Sequence, residues 1–311
     1  MADAGSRRRE SRTTGGGAIP GADGHAAYSL TVRDAVPVLL AVPHAGRCYP
    51  QALLEQMRHP AEARLRLEDR FADLLAEAVA RETGAALLVA HAPRAMIDLN
   101  RAPDDVDWEM VAAPTPDRRT RHAAGRRARS GLGLVPRRLP GLGELWRKRL
   151  SPDELQARIE DIHQPYHAAL SRTLERLRDK WGAALLIDVH SMPPLGPKRG
   201  TEAAPDFVVG DRFGSSSDAA LCAAAFEHFA AAGRSTAHNR PYAGGYGLDR
   251  HAAPARGLHA LQVEVCRSTY LDAQLSEPGP GMAAVVRVLV GLVRRLAQEL
   301  AAGSRLPQAA E

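Results

Sequence analysis

Short apolar runs alternate along this chain with stretches in which apolar residues recur three and four apart. Residues 36–42 (VPVLLAV) run into Pro-His-Ala-Gly and read as a buried strand feeding a loop. Leu67, Phe71, Leu74, Leu75 and Ala78 then fall at helical spacing, with Gly84 as a stop signal. Residues 85–90 (AALLVA) and 95–99 (AMIDL) are two more strand-like runs. Ser151, Pro152, Asp153 and Glu154 carry helix start signals, since serine caps and proline fits the first turn. The helical pattern they open runs towards Lys180, with Pro165 as its expected break. Strands over 183–189 (ending at His190), 207–210 and 258–265 follow, interleaved with helices over 218–232 and 280–301. Largely apolar strands alternating with helices predict a three-layer α/β/α fold with a mostly parallel, mixed central sheet.

The remaining stretches set the expected domain limits. Residues 1–27, rich in Gly, Ser, Arg and Ala without periodicity, predict a disordered tail, as do residues 303–311. One domain is expected over 28–302. Within it, residues 102–150 are rich in Arg, Pro and Gly and too long for an ordinary connection, which predicts an insertion or an active-site flap.

Composition narrows the class. With 45% hydrophobic residues in 311, the chain can bury a substantial core. Cys48, Cys222 and Cys266 show no paired spacing, so neither a disulfide framework nor a thiolate zinc site is suggested. No apolar leader and no run of about 18 apolar residues is present, so a cytoplasmic location without membrane contact is expected. Much of the +5 formal charge lies between Arg118 and Arg149. Trp146 is the one aromatic residue there, whereas nucleic-acid sites often interleave charge with stacking rings. A solvated loop is therefore preferred over a nucleic-acid surface, with attraction of an anionic substrate as a further role.

Chemistry-bearing residues cluster at the ends of the apolar strands. His44 follows VPVLLAVP, Asn100 and Arg101 follow MIDL, His190 follows LLIDV, and Glu264 lies in LQVEV. Ligands gather at the carboxyl ends of strands in open α/β sheets. Two imidazoles and a carboxylate form a frequent catalytic zinc set, with a further carboxylate free to move protons and an arginine to hold a substrate carboxylate. Each residue also has a plain structural reading. His44 could cap a loop, His190 could be a hydrogen-bonded core histidine, and Glu264 could pair with Arg94 or Arg267. Gly244 and Gly245 fit either a tight turn or a close backbone approach to a substrate. His163 and His167 read as packing or surface residues of a helix.

Seven segments make the pattern specific. VPHAGRCYP, LEDRFADLL, PRAMIDLNRAPDD, LLIDVHSMPP, DFVVGDRFGSSSD, RPYAGGYG and LHALQVEVCRSTYLD occur in the order found in N-formylglutamate amidohydrolases, and the resemblance extends from about Val36 to Asp272. That family in turn resembles zinc carboxypeptidases. The resemblance implies a carboxypeptidase-like fold, one zinc ion per chain and hydrolysis of N-formyl-L-glutamate to formate and L-glutamate, the last step of one histidine-degradation route. It implies His44 and His190 as zinc ligands, Glu264 as the general base, and Asn100 and Arg101 as the grip on a substrate carboxylate. Arg94 joins the expected substrate pocket with Gly244 and Gly245. Carboxypeptidases place their acidic ligand three residues after the first histidine, where this chain has Arg47. Asp69 is the first choice to replace it, with Glu68 and Asp73 as alternatives, and Asp188 is expected to orient a ligand from behind. Another N-acyl amino acid or a small peptide is the alternative substrate.

Overall fold

The computed structural model describes residues 11–112, 125–198 and 203–303. Besides a two-stranded ribbon of Arg138–Leu139 and Gly143–Glu144, its strands in chain order are β1 (Ser11–Ile19), β2 (Ala22–Val32), β3 (Val38–Val42), β4 (Ala86–Ala90), β5 (Ala184–Met192), β6 (Phe207–Gly210), β7 (Thr236–His238) and β8 (Leu258–Cys266). They form one sheet in the order β1-β2-β4-β3-β5-β8-β6-β7. The inner strands β4, β3, β5 and β8 are mutually parallel, while β2 pairs antiparallel with β4 and β6 with β8. Every residue of those four inner strands is buried, as a sheet covered on both faces requires.

Side chains alternate between the faces of a strand. Leu39, Ala41, Leu88, Leu186 and Ala260 pack on one face with Tyr166, Leu170 and Leu174 of the helix Gln164–Trp181. Leu40, Val42, Ile187, Val189 and Val263 pack on the other, against the helices Ala72–Thr83, Ala219–Ala231 and Met282–Gly303. The result is the three-layer α/β/α architecture with a mostly parallel, mixed sheet.

The helix starting at Pro152 has the capping box promised by Ser151 and Glu154. Pro165 does not stop the helical path. A π-turn over Ile159–His163 precedes it, and the proline sits in the first turn of the next helix, where its missing N–H costs little.

Four further expectations are corrected. The tail drawn through residue 27 is ordered from Ser11 onward as the β1–β2 hairpin; residues 1–10 and 304–311 lie outside the described residues. Its glycines answer to contacts rather than to looseness: a Cβ on Gly17 would fall 2.5 Å from the Asp161 side chain, and Gly21 turns the hairpin at a φ of 80°. Residues 95–99 are turns rather than a strand. The Asp98 carboxylate accepts the Asn100 backbone N–H at 2.8 Å, and the Met96 N–H bonds back to the Pro93 carbonyl. Local side-chain bonding of this kind competes with ladder pairing. The helical spacing from Leu67 to Ala78 is split between Pro60–Leu67 and Ala72–Thr83, because Phe71 adopts a left-handed φ of 56°. The described part of 102–150 is not a detached flap, since Met110, Leu134, Leu145, Trp146 and Leu150 join the core.

Candidate functional site

The inner strands change character at their carboxyl ends. On one face of β5, Ala184 and Leu186 give way to Asp188 and His190; on the same face of β8, Leu258 and Ala260 give way to Gln262 and Glu264. Parallel register sets Gln262 beside Asp188 and Glu264 beside His190. His44 stands just beyond β3, and the break at Phe71 leaves Asp69 between two helices, its backbone N–H bonded to the His44 carbonyl.

Three buried side chains meet there. His190 Nδ1 lies 3.1 Å and His44 Nδ1 3.5 Å from Asp69 Oδ2, and the two rings are 4.8 Å apart. His44 Nδ1 is buried without a hydrogen-bond partner. The far nitrogens are held from behind: His44 Nε2 by Asp98 Oδ1 at 2.7 Å and His190 Nε2 by Asp188 Oδ2 at 3.0 Å. Carboxylates behind imidazoles are how proteins fix the tautomer and aim of metal-binding histidines. With both Nδ1 atoms and one carboxylate oxygen converging, the donor set fits a metal ion. Glu68 and Asp73 do not approach: Glu68 bonds Arg70 and Arg64, and Asp73 pairs with Arg47.

The electrostatics follow from burial among acids. Burial opposes the charge on Asp69, yet the bond from His190 and the nearby His44 ring hold its carboxyl well below the usual range. Burial likewise opposes a charged His190, but Asp188 and then Asp69 raise its pKa well above the ordinary value. The acids thus demand positive charge at this point, which a proton or a divalent cation supplies. Burial, helped by Asp69 and Asp188 against His190 and Arg94, pushes the Glu264 carboxyl up to about 7. A carboxylate poised there suits proton transfer near neutrality.

These groups line a cavity of about 250 Å³ whose wall includes Arg94, Asn100, Arg101, Gly244, Gly245 and Glu264. Every expected site residue therefore reaches the same place. Their surroundings differ in kind. Arg94 directs Nε and Nη2 at Asp98 Oδ2, each at 3.0 Å. Arg101 donates from Nε to the Leu132 carbonyl and from Nη1 to the Asn100 carbonyl. The Asn100 amide accepts from the Gly247 N–H and donates to Gln262, which bonds Glu264. A Cβ on Gly245 would strike the Asn100 amide at 2.6 Å, so this glycine lets the two segments touch.

Sequence reasoning missed several members. Asp98 sat inside the run taken for a strand. Ser191 donates to Asp69 Oδ1, and Arg267 donates to Ser191. Arg127 brings the arginine-rich stretch into the cavity wall, while Arg137 of that stretch is spent on Asp107, Glu109 and Glu144. Arg118, Arg119 and Arg121 lie outside the described residues. The histidines set aside as packing residues support the cavity loop. His163 Nε2 donates to the Arg101 carbonyl at 2.8 Å and His167 Nε2 to the Leu99 carbonyl at 3.0 Å, while His251 Nε2 donates to His167 Nδ1 at 2.9 Å. A chain of neutral imidazoles fits burial, which pushes His251 down to about 4 and His167 well below its ordinary value.

Residues 36–271 match the model of a family described as N-formylglutamate amidohydrolase. An N-formylglutamate deformylase of Pseudomonas aeruginosa is 30% identical over 281 residues, 88% of this chain and 96% of its own length. One of Pseudomonas putida is 32% identical over 246 residues, 76% of this chain and 82% of its own. The crystal structure of an N-formylglutamate amidohydrolase from Ralstonia eutropha JMP134 superposes with a TM-score of 0.78 at 31% identity, covering 89% of this chain and 99% of that one.

Proposed function

Because the chain belongs to the N-formylglutamate amidohydrolase family and is a hydrolase of linear amide bonds, we propose that its substrate is N-formyl-L-glutamate, cleaved to formate and L-glutamate. A catalytic zinc ion, one per chain, would be held by His44, His190 and Asp69. Zinc bound in this way acidifies a water and polarises a carbonyl oxygen.

The side chains divide the remaining work. Glu264 takes the proton of the attacking water and delivers it to the amide nitrogen as the C–N bond breaks. Gln262 holds one of its oxygens, which keeps the other directed at the cavity. Asp98 and Asp188 fix the two imidazoles. Asn100, with its amide already engaged, keeps the cavity floor rigid beside His190. Arg101 and Arg127 offer guanidinium groups to the substrate carboxylates, for which planar donors suit better than lysine.

The observation that carries this reading is the convergence of the two Nδ1 atoms on Asp69, with a carboxylate behind each ring and Glu264 on the neighbouring strand. Metal content and deformylation, measured on wild type and His190→Ala across a panel of N-formyl and N-acetyl amino acids, test it. We expect about one zinc per chain at this site, a preference for N-formyl-L-glutamate, and loss of that zinc and of activity in the variant. Full metal occupancy at this site in both His190→Ala and His44→Ala would refute the ligand set. Activity confined to another acyl amino acid would refute the substrate.

A further inference from the structure

A second group of potential ligands lies across β6 and β7, at the sheet edge away from the β1–β2 hairpin. The chain leaves β6 at Gly210 and turns at Asp211; β7 runs parallel to β6 and ends at His238; Cys222 faces them from the helix Ala219–Ala231. Their side chains meet on one atom. His238 Nε2 is 3.1 Å from Asp211 Oδ2 and 3.5 Å from Cys222 Sγ. The three ligand atoms all lie within 4.8 Å of one another.

That geometry separates two chemistries. A nucleophilic cysteine needs a histidine whose two nitrogens face opposite ways, one to the thiol and one to the acid. Here the same nitrogen faces both, which is the arrangement of ligands around a cation. With zinc–nitrogen and zinc–oxygen bonds of about 2.1 Å and a zinc–sulfur bond of about 2.3 Å, tetrahedral edges come to roughly 3.4–3.6 Å. The two separations from His238, 3.1 and 3.5 Å, need only small adjustment to reach those values.

The surroundings are built to hold the ligands. Asp211 Oδ1 accepts from Asn239 Nδ2 at 2.8 Å and from the Gly214 N–H at 3.0 Å, which turns Oδ2 towards His238. The His238 ring packs edge-on against Phe226. Asp211 and Cys222 are buried while His238 is half exposed, so one side stays open for entry and for a completing water.

We propose that Asp211, Cys222 and His238 form a second cation site, for zinc or another divalent ion that accepts mixed S, N and O ligands. Binding forms a metal–thiolate bond and releases the thiol proton to solvent. The site braces one wall of the catalytic cavity. The segment that follows His238 carries Tyr242, Ala243, Gly244 and Gly245, and the Arg212 N–H bonds the Ala243 carbonyl. Spacing along the chain gave no sign of it, because the ligands come from a loop, a helix and an edge strand.

Cobalt(II) titration of the full chain, stripped with chelator, tests the proposal. The wild type should bind two equivalents, one of them with the intense near-ultraviolet thiolate-to-cobalt band. Cys222→Ser should lose the band and that equivalent. His238→Ala, which alters a half-exposed side chain and spares the core, should weaken the same equivalent by at least about tenfold. His190→Ala should keep the band and lose the other equivalent. No band in the wild type, or a band that persists in Cys222→Ser, overturns the proposal. If His190→Ala keeps both equivalents together with the band, the second site stands and the catalytic ligand set fails.

Discussion

Asp98→Asn is the substitution that best tests how the site is held. Asp98 Oδ1 accepts from His44 Nε2 at 2.7 Å and from the Asn100 N–H at 2.8 Å, while Oδ2 takes Arg94 Nε and Nη2. The asparagine keeps the shape and one acceptor oxygen. With that oxygen turned to His44 and Asn100, its amide NH2 faces the Arg94 donors. One charge-assisted interaction is lost, at a cost of about 1.5–3 kcal/mol, and two donors are set against each other. Asp98→Ala leaves the buried His44 and Asn100 donors unpaired as well, at about 1–3 kcal/mol each. Loss of the carboxylate behind a ligating imidazole weakens metal binding by about 10–100-fold, or about 1.4–2.7 kcal/mol. The assay has two arms. Zinc affinity by chelator competition should fall by that factor in Asp98→Asn. Guanidinium chloride unfolding with excess chelator should show the fold-level loss without the metal contribution, larger in Asp98→Ala. Wild-type zinc affinity in Asp98→Asn would refute the role given to Asp98. Wild-type unfolding of the chelated Asp98→Ala protein would refute the bonding count.

Further outcomes follow from the same geometry. Glu264→Gln should retain zinc and lose about 10²–10⁴-fold in kcat, as loss of a proton-transfer group does; zinc loss instead would make Glu264 a ligand. Arg101→Lys should keep zinc and be impaired on N-formyl-L-glutamate, and Arg101→Ala should lose most of the preference for the free acid over its esters. If that preference survives, Arg127 or Arg94 reads the carboxylate. His167→Ala should raise KM through the loosened Leu99–Arg101 backbone and cost about 1–3 kcal/mol of stability, and kinetics unchanged alongside lowered stability would reduce His167 to a core residue. His251 is buried neutral with its pKa down at about 4, whereas the unfolded chain protonates it near 6.5, so its contribution is full above about 6.5 and declines as pH falls towards 4. Acidification from pH 7 to 4 should therefore cost about 2–3 kcal/mol through this group, and His251→Gln should show a smaller acid-induced loss than wild type; an identical loss would refute the assignment.

What the sequence displayed and what it hid divide along physical lines. The inner strands were legible because a strand buried on both faces favours apolar residues: 36–42 and 85–90 are unbroken apolar runs, 183–189 is broken only by Asp188, and 258–265 keeps Leu258, Ala260, Leu261, Val263 and Val265 between its polar residues. His44, His190 and Glu264 were legible as polar residues at the ends of those runs. The hairpin over Ser11–Val32 was not, because Gly15 and Gly17 look like flexible composition when they are clearances for Tyr28 and Asp161. Asp98 was hidden because MIDL has strand composition, and only the Asn100 N–H bonding to its carboxylate turns it into a loop. Asp69 could not be told from Glu68 and Asp73 by spacing. The left-handed Phe71 decides which acid faces the imidazoles, and propensity does not foretell a left-handed aromatic residue.

The charges of the site form two layers with opposite needs. Asp69, Asp98, Asp188 and Glu264 lie deepest, each at most 6% exposed, and outnumber the positive charge among them unless a cation is added. Arg94 pairs with Asp98, and Arg267 Nη2 lies 3.6 Å from Asp69 Oδ1, which leaves Asp69 Oδ2, where the two Nδ1 atoms point, for a cation. Arg66, Arg101 and Arg127 stand in the wall. Arg101 gives two of its nitrogens to neutral carbonyls, which fix its direction, and its nearest acid, Asp98 Oδ2, is 4.0 Å from Nε. A divalent ion satisfies the inner layer and leaves the outer one cationic. The partner this arrangement favours carries its negative charge away from the bond to be broken: a neutral acyl amide at the acids, and carboxylates at the arginines. N-formyl-L-glutamate has that distribution. An uncharged formamide of similar length lacks the outer contacts, and with them the binding energy that positions the formyl carbon.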